Sequence, residues 1–206
     1  MKHKSIDVNQ RIPLETLHVA LESYLNECYS DDYILEQLRL HFSGENRLKK
    51  SLRIVRKIVP NNPAIELLTS NKTKILSAIK NKVDKNVILI ALLNSSFVFS
   101  FDMLSILGKL FKVQTFVNRE ALTREISKIY GSNRALPNAI DSVVPMYLEA
   151  DFFKRPKPGL YEFGDKLNVA NEISRKIYIE SYKINNTLSE IRDYQLMDPY
   201  FEFIIL

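Results

Sequence analysis

Apolar residues recur every three or four positions through residues 14–58, and this spacing predicts amphipathic α-helices. Pro13 suits the first turn of a helix whose apolar series is Leu14, Leu17, Leu21 and Leu25. Ser30 predicts the start of a second helix, because its hydroxyl can accept a hydrogen bond from a backbone N–H of the first turn. A third helix is expected over about residues 46–59. The pattern predicts a helical N-terminal domain over residues 1–84.

The third helix is expected to have one apolar and one cationic face. The apolar face comprises Leu48, Leu52, Val55 and Ile58, and the cationic face comprises Lys49, Arg53 and Arg56. Residues 45–85 contain eleven basic and three acidic residues, within a chain of 206 residues whose net charge is +5. Such a cationic region is typical of proteins that bind a polyanion, with nucleic acid as the first candidate. A solvated, lysine-rich helix face is the alternative.

Residues 87–107 form a long apolar stretch in which Asp102 is the only formal charge. The stretch is about as long as a membrane-spanning helix, which needs ~20 residues. However, Asn94, Ser95 and Ser96 interrupt it, and Asp102 would lie in the hydrocarbon at a high cost in free energy. We therefore expect two buried helices with a break near residues 94–96, and no membrane partner.

The pattern changes after Gln114. Asn118 suits the N-cap of a helix that ends at Gly131, and a short turn through Ser132 and Asn133 leads to a second helix with Leu136, Ile140, Val143 and Tyr147 on its apolar side. The segment FFKRPKPGLYEF at residues 152–163 then predicts a β-hairpin. Phe152 and Phe153 are assigned to the first strand, residues 155–159 to a proline-stiffened loop, and residues 160–163 to the returning strand.

This order of helix, turn, helix and hairpin over residues 118–163 resembles the winged helix-turn-helix superfamily. With the apolar helix at 101–111 as its first helix, the resemblance covers about residues 101–163, within a predicted domain of residues 85–165. It implies a mainly α fold whose second helix enters the major groove of duplex DNA while the hairpin, or wing, contacts the backbone.

The resemblance also implies a set of contact residues. Bases would be contacted from the second helix by Arg134, Asn138, Asp141 and Ser142, where Asp141 departs from the pattern because a carboxylate repels phosphate. Phosphates would be contacted from the first helix by Arg119, Thr123, Arg124 and Lys128, and from the wing by Lys154, Arg155 and Lys157. The cationic face with Lys49, Arg53 and Arg56 would add to this footprint.

A second resemblance concerns the whole chain. The order of the helical segment SDDYILEQLRLHFSGENRLKKSLRIVRKIV, the central apolar helices and the later VPMYLEADFF is similar to the small A component of the bacteriophage-exclusion (BREX) defence systems. It implies a bacterial, cytoplasmic, DNA-binding accessory protein that works beside larger enzymes. An interaction module in a larger complex, whose basic surfaces meet an acidic protein, is the alternative function.

Few residues are arranged for catalysis. The sequence contains no G-x-G-x-x-G, no G-K-[ST], no G-x-S-x-G and no H-E-x-x-H motif. His3, His18, His41 and Cys28 have no metal-ligand spacing, and the acidic pairs Glu149/Asp151 and Asp198/Glu202 are common by chance. The sequence therefore predicts a protein without enzymatic activity, cofactor or metal.

The remaining predictions concern compartment and assembly. A single cysteine and an N-terminal segment, MKHKSIDVNQ, without the apolar core of a signal peptide favour the cytoplasm. Residues 166–206 are expected to form a C-terminal helical extension, with one amphipathic helix over residues 164–185. The apolar segment MDPYFEFIIL either supports a homodimer or packs back on the N-terminal helices.

Overall fold

The computed structural model describes residues 4–131 and 133–206, so that His3 and Ser132 lie outside the described residues. The fold is mainly helical, as the periodicity predicts. The helices are α1 (Leu14–Leu25), α2 (Asp31–Arg39), α3 (Glu45–Ile58), α4 (Ile65–Ser70), α5 (Lys72–Ala78), α6 (Lys82–Ser96), α7 (Val98–Phe111), α8 (Arg119–Tyr130), α9 (Leu136–Glu149) and α10 (Glu172–Asn186). The strands are β1 (Phe116–Asn118), β2 (Lys154–Lys157), β3 (Leu160–Glu162), β4 (Leu167–Asn168) and β5 (Ile204–Ile205).

Helix α2 begins at its predicted capping residue. The Ser30 hydroxyl accepts a hydrogen bond from the Tyr33 N–H at 3.2 Å, which starts α2. Gly44 precedes α3 with a φ of +92°, a conformation that glycine adopts without strain. Helix α3 buries the predicted apolar face, Leu48, Leu52, Val55 and Ile58, against α1, α2 and α6.

Helices α6 and α7 confirm the predicted break in the apolar stretch. They meet at Phe97, which has an extended backbone with φ −132° and ψ 106°. Every residue from Val87 to Ser96 is buried, because α6 lies among α1, α3, α7 and α10. Within residues 4–131 and 133–206, no helix has the length and apolarity that crossing a membrane requires.

The hydrophobic core is continuous across the three predicted domains. The predicted boundary between residues 84 and 85 lies in the first turn of α6, where the Asp84 side chain is fully buried. Its carboxylate accepts hydrogen bonds from the backbone N–H groups of Ala170 at 3.3 Å and Asn171 at 2.9 Å. Residues from all three predicted domains therefore pack around the same central helix.

Strands β1, β2 and β3 form a three-stranded antiparallel sheet in the order β1-β3-β2, and β1 contacts α7. The predicted hairpin is present, and β3 begins at Leu160 as expected, but the first strand begins later than the sequence suggested. Phe152 and Phe153 are buried before β2, and the cationic residues assigned to the loop belong to β2 itself. An edge strand tolerates Pro156, because one of its sides needs no backbone donor. The turn is confined to Pro158 and Gly159, which has a φ of +74°.

The C-terminal segment returns to the core. Helix α10 starts at Glu172, later than predicted, because residues 167–168 form β4 and pair in parallel with β5. The 3-10 helix Pro199–Phe203 packs on α7, and its Tyr200, Phe201 and Phe203 are buried. Of the two hypotheses for MDPYFEFIIL, the structure agrees with packing back on the rest of the chain. The segment packs against α7 and α10, however, instead of the N-terminal helices.

Candidate nucleic-acid interface

The segment from α7 to β3 places the start of α8, the exposed side of α9 and the hairpin close together. Asn118 ends β1 and caps α8, since its side chain accepts a hydrogen bond from the Ala121 N–H at 2.7 Å. The backbone N–H of Arg119 donates to the Gly159 carbonyl at 2.8 Å, which fixes the start of α8 to the turn of the hairpin. Val117 of β1 lies opposite Tyr161 of β3, and both side chains are buried beneath the helices.

The hairpin presents three cations, Lys154, Arg155 and Lys157, which we call the wing cations. All three are exposed and lie on β2, an edge strand of the sheet. In the part of the chain that the structure describes, none of them lies within 4.0 Å of a carboxylate oxygen. Because β2 is already ordered by its pairing with β3, an anion that binds there orders little additional backbone.

Helix α9 exposes a narrower surface than the sequence suggested. Arg134 is exposed but lies in the turn before the helix. Asn138 is exposed, and its amide donates a hydrogen bond to the Asn9 carbonyl at 3.2 Å. The prediction for Ser142 was wrong: its side chain is buried, with the residue only 4% exposed, and its hydroxyl donates to the Asn138 carbonyl at 2.7 Å. Arg134, Asn138 and Asp141 remain the predicted base-contacting residues at the surface.

The predicted cations of α8 already have carboxylate neighbours. Arg119 forms an ion pair with Asp141 of α9. Arg124 and Lys128 share Glu125, at 3.8 Å and 2.6 Å, and Lys128 holds the pKa of that carboxyl below its ordinary value. The Thr123 hydroxyl is half-buried and donates to the Arg119 carbonyl at 2.8 Å, as helical threonines often do. The outer face of α8 is therefore closer to neutral than its cations alone suggest.

Tyr161 lies where the wing and α8 meet. Burial raises the pKa of its hydroxyl, and the guanidinium groups of Arg119 and Arg155 lower it in part. Both arginines are therefore within electrostatic range of the same hydroxyl. Tyr161 was not among the predicted site residues, although the alternation in LYEF places it on the opposite side of β3 from Leu160 and Glu162.

The cationic face of α3 is partly occupied. Lys49 and Arg53 are exposed, and neither has a carboxylate partner among the described residues. Arg56 instead donates from Nε to Asp31 at 2.8 Å and makes a second hydrogen bond from Nη2 to the same carboxylate. This hydrogen bonding holds the pKa of Asp31 below its ordinary value. Two of the three predicted cations on this face are thus available to an external anion.

Outside the interface, polar side chains can bind a ligand either as a metal site or in a surface cleft. Among residues 4–131 and 133–206, no group of three His, Cys, Asp or Glu side chains is placed to share a metal ion. A surface cleft of about 320 Å³ between α5 and α10 is lined by Lys74, Lys176 and Asn171, together with Glu172. None of the residues that line this cleft is a wing cation.

Comparisons with protein-family models, with curated proteins and with solved structures returned no match to this chain.

Proposed function

We propose that residues 98–162 form a winged helix-turn-helix unit that binds duplex DNA without catalysing a reaction on it. The element order α7-β1-α8-α9-β2-β3 and the strand order β1-β3-β2 support the unit, because they place a hairpin beside the second helix of a helix-turn-helix. The observation that carries the function is the set of three exposed wing cations without carboxylate partners in the described chain.

The wing cations would supply the affinity. Lys154, Arg155 and Lys157 project from an ordered strand and would neutralise phosphates while releasing the counterions of the duplex. Lys49 and Arg53 of α3 would add to the electrostatic attraction.

Helix α9 would supply a limited sequence preference. Arg134 has the donor geometry for guanine, and Asn138 for adenine. Asn138 would have to release the Asn9 carbonyl before it could contact a base edge. We therefore propose a protein in which phosphate contacts outweigh base contacts.

The test is a fluorescence-anisotropy titration of the full chain with a labelled random duplex at several salt concentrations. Each lost phosphate contact lowers the salt slope, the change in log K with log salt, by about 0.9. Arg155→Ala/Lys157→Ala should therefore lower the slope by about 1.8 and weaken binding. The control is Lys74→Ala/Lys176→Ala, which removes two exposed cations from the cleft between α5 and α10.

Two results would contradict the proposal. One is the absence of wild-type binding at about 50 mM salt, where phosphate contacts are strongest. The other is equal loss of affinity in the wing variant and in the cleft variant, because net charge alone would then account for binding.

We also propose the biological setting that the sequence resemblances imply. The protein would act in the bacterial cytoplasm as an accessory DNA-binding subunit of a regulatory or phage-defence system, beside larger enzymes. A homodimer would pair two such units on neighbouring half-sites. Light scattering of the wild type against Ile205→Ser/Leu206→Ser tests the dimer, since these two side chains are 48% and 41% exposed while Tyr200 and Phe203 belong to the core.

A second candidate function, an interaction module in a larger complex, is favoured by exposed apolar side chains. Val113, Phe116 and Met197 are 80%, 50% and 76% exposed. Lys112 donates to the Met197 carbonyl at 2.5 Å, which brings the loop that holds Val113 beside Met197. If the duplex does not bind, these side chains are the first positions to substitute in assays of subunit assembly.

A further inference from the structure

Asp141 lies at the point where the wing, α8 and α9 converge. Its Oδ1 is 2.5 Å from Nη1 of Arg119, and the side chains of Asp141 and Arg119 are 57% and 35% exposed. The hydrogen bond from Arg119 to this carboxylate raises the pKa of Arg119 above its ordinary value. An acidic side chain on the exposed side of α9 is unexpected on a surface that meets phosphates.

The backbone fixes Arg119 in this position. Its N–H donates to Gly159 in the turn of the wing, and it is the first residue of α8, directly after the capping residue Asn118. The guanidinium group reaches α9 from there. Arg119 and Arg155 both lower the pKa of Tyr161, whose burial raises it, so the cations of α8 and of the wing act on one small region.

We propose that Asp141 is an internal competitor of phosphate. In the free protein its carboxylate occupies Arg119, and a DNA phosphate gains Arg119 only by displacing it. An exposed ion pair of this kind is weak, so a phosphate can exchange with the carboxylate. The pair therefore lowers the affinity for every duplex while keeping the guanidinium oriented. This inference rests on the proposed DNA binding.

This competition means that Arg119 of α8 and the wing cations differ in how much they contribute to the affinity for DNA. The wing cations have no carboxylate partner in the described chain and attract phosphate directly. Arg119 contributes to the affinity only the difference in free energy between its interaction with phosphate and its interaction with Asp141. Glu120, the next residue along α8, is also acidic and exposed, but it makes no ion pair among the described residues. Glu120 therefore affects Arg119 through its charge alone.

The test compares Asp141→Asn with Glu120→Gln, which removes the same charge from the neighbouring position. Asp141→Asn should bind random duplex more tightly, with a salt slope steeper by up to about 0.9, because a phosphate occupies Arg119 of the wild type in only part of the complexes. Its advantage over the wild type should be up to about 3.5-fold greater at 50 mM than at 200 mM salt. Glu120→Gln should leave the slope unchanged. Circular dichroism spectra and melting temperatures establish that each variant is folded.

An Arg119→Ala background isolates the pair. There, Asp141→Asn should gain no more affinity than Glu120→Gln does, because the competitor has no cation to occupy. Equal effects of Asp141→Asn and Glu120→Gln in the wild-type background would overturn the inference, as would weaker binding by Asp141→Asn. In both cases the DNA binding of the wild type would stand, whereas no wild-type binding at 50 mM salt would overturn the proposed function and this inference together.

Discussion

Gly108→Ala tests the closest contact between α7 and the C-terminal segment. A Cβ atom at position 108 would lie 2.0 Å from the Pro199 carbonyl oxygen and 2.8 Å from its carbonyl carbon. Ordinary contact begins near 3.4 Å, so the backbone at Pro199 would have to move by about 1.4 Å in a densely packed region. A flexible side chain could not absorb this overlap, because the opposing atoms belong to the main chain.

The expected change in the free energy of unfolding combines destabilising and stabilising effects of the added methyl group. Overpacking typically costs about 1–3 kcal/mol, and a shift of Pro199 also loosens the buried rings of Tyr200 and Phe203, each of which contributes about 1.5–3 kcal/mol when fully buried. Alanine in place of glycine favours the helix by about 1 kcal/mol. The net expectation is a destabilisation of about 3 kcal/mol, or a melting temperature about 6–12 °C lower for a chain of this size.

Urea denaturation followed by far-ultraviolet circular dichroism measures this difference. Gly164→Ala is the control, because a Cβ there meets no atom within 4 Å, and it should change the free energy of unfolding by less than about 0.5 kcal/mol. A Gly108→Ala variant as stable as the wild type, or more stable by the helix-propensity gain alone, would refute the close packing of Pro199 on α7.

Two further predictions concern buried polar groups. Asn94→Ala should lower the free energy of unfolding by about 2–3 kcal/mol. The Asn94 side chain accepts a hydrogen bond from the Tyr147 hydroxyl at 3.1 Å and donates one to the Tyr200 hydroxyl at 3.2 Å, and the variant would lose both. A loss below about 1 kcal/mol in urea titrations would contradict this prediction. Burial raises the pKa of Tyr29 to about 12 and that of Tyr147 well above its ordinary value. Unfolded tyrosines lose their protons near pH 10, so above about pH 10 the unfolded state binds fewer protons than the folded state and stability falls as pH rises. Urea midpoints should decline from about pH 10 to 12, and less steeply in Tyr29→Phe; a flat profile would contradict the burial of these hydroxyls.

Local signals predicted the main helices and the starts of α2 and α8. Ser30 and Asn118 cap α2 and α8 as expected, because a capping bond involves residues only three positions apart. The break between α6 and α7 was also predictable, since Asn94, Ser95 and Ser96 interrupt an otherwise apolar run. Strand β1 was missed because its three residues are too short for an alternation and depend on β3 for their pairing.

The charge pattern of the candidate interface depends on distant parts of the chain. Ser142 fits the polar side of α9 by periodicity, but α9 is covered on more sides than an isolated amphipathic helix would be. The pairing of Arg119 with Asp141 joins two helices across the turn between them, and Asn138 meets Asn9 from the other end of the chain. No local rule predicts which cations are neutralised in this way, so the sequence identified the residue types at the interface but not their availability.

The packing of Pro199–Phe203 on α7 also has a consequence for synthesis. The ring centroids of Phe101 and Tyr200 are 4.7 Å apart in a tilted arrangement, and those of Phe111 and Phe203 are 6.1 Å apart in an edge-to-face arrangement. The second member of each pair leaves the ribosome about 90–100 residues after the first, which at typical elongation rates takes roughly 5–20 s. During that interval the aromatic side of α7 has no permanent cover. The nascent chain is then a substrate for chaperones that bind apolar surface, and its vulnerability ends when the 3-10 helix docks.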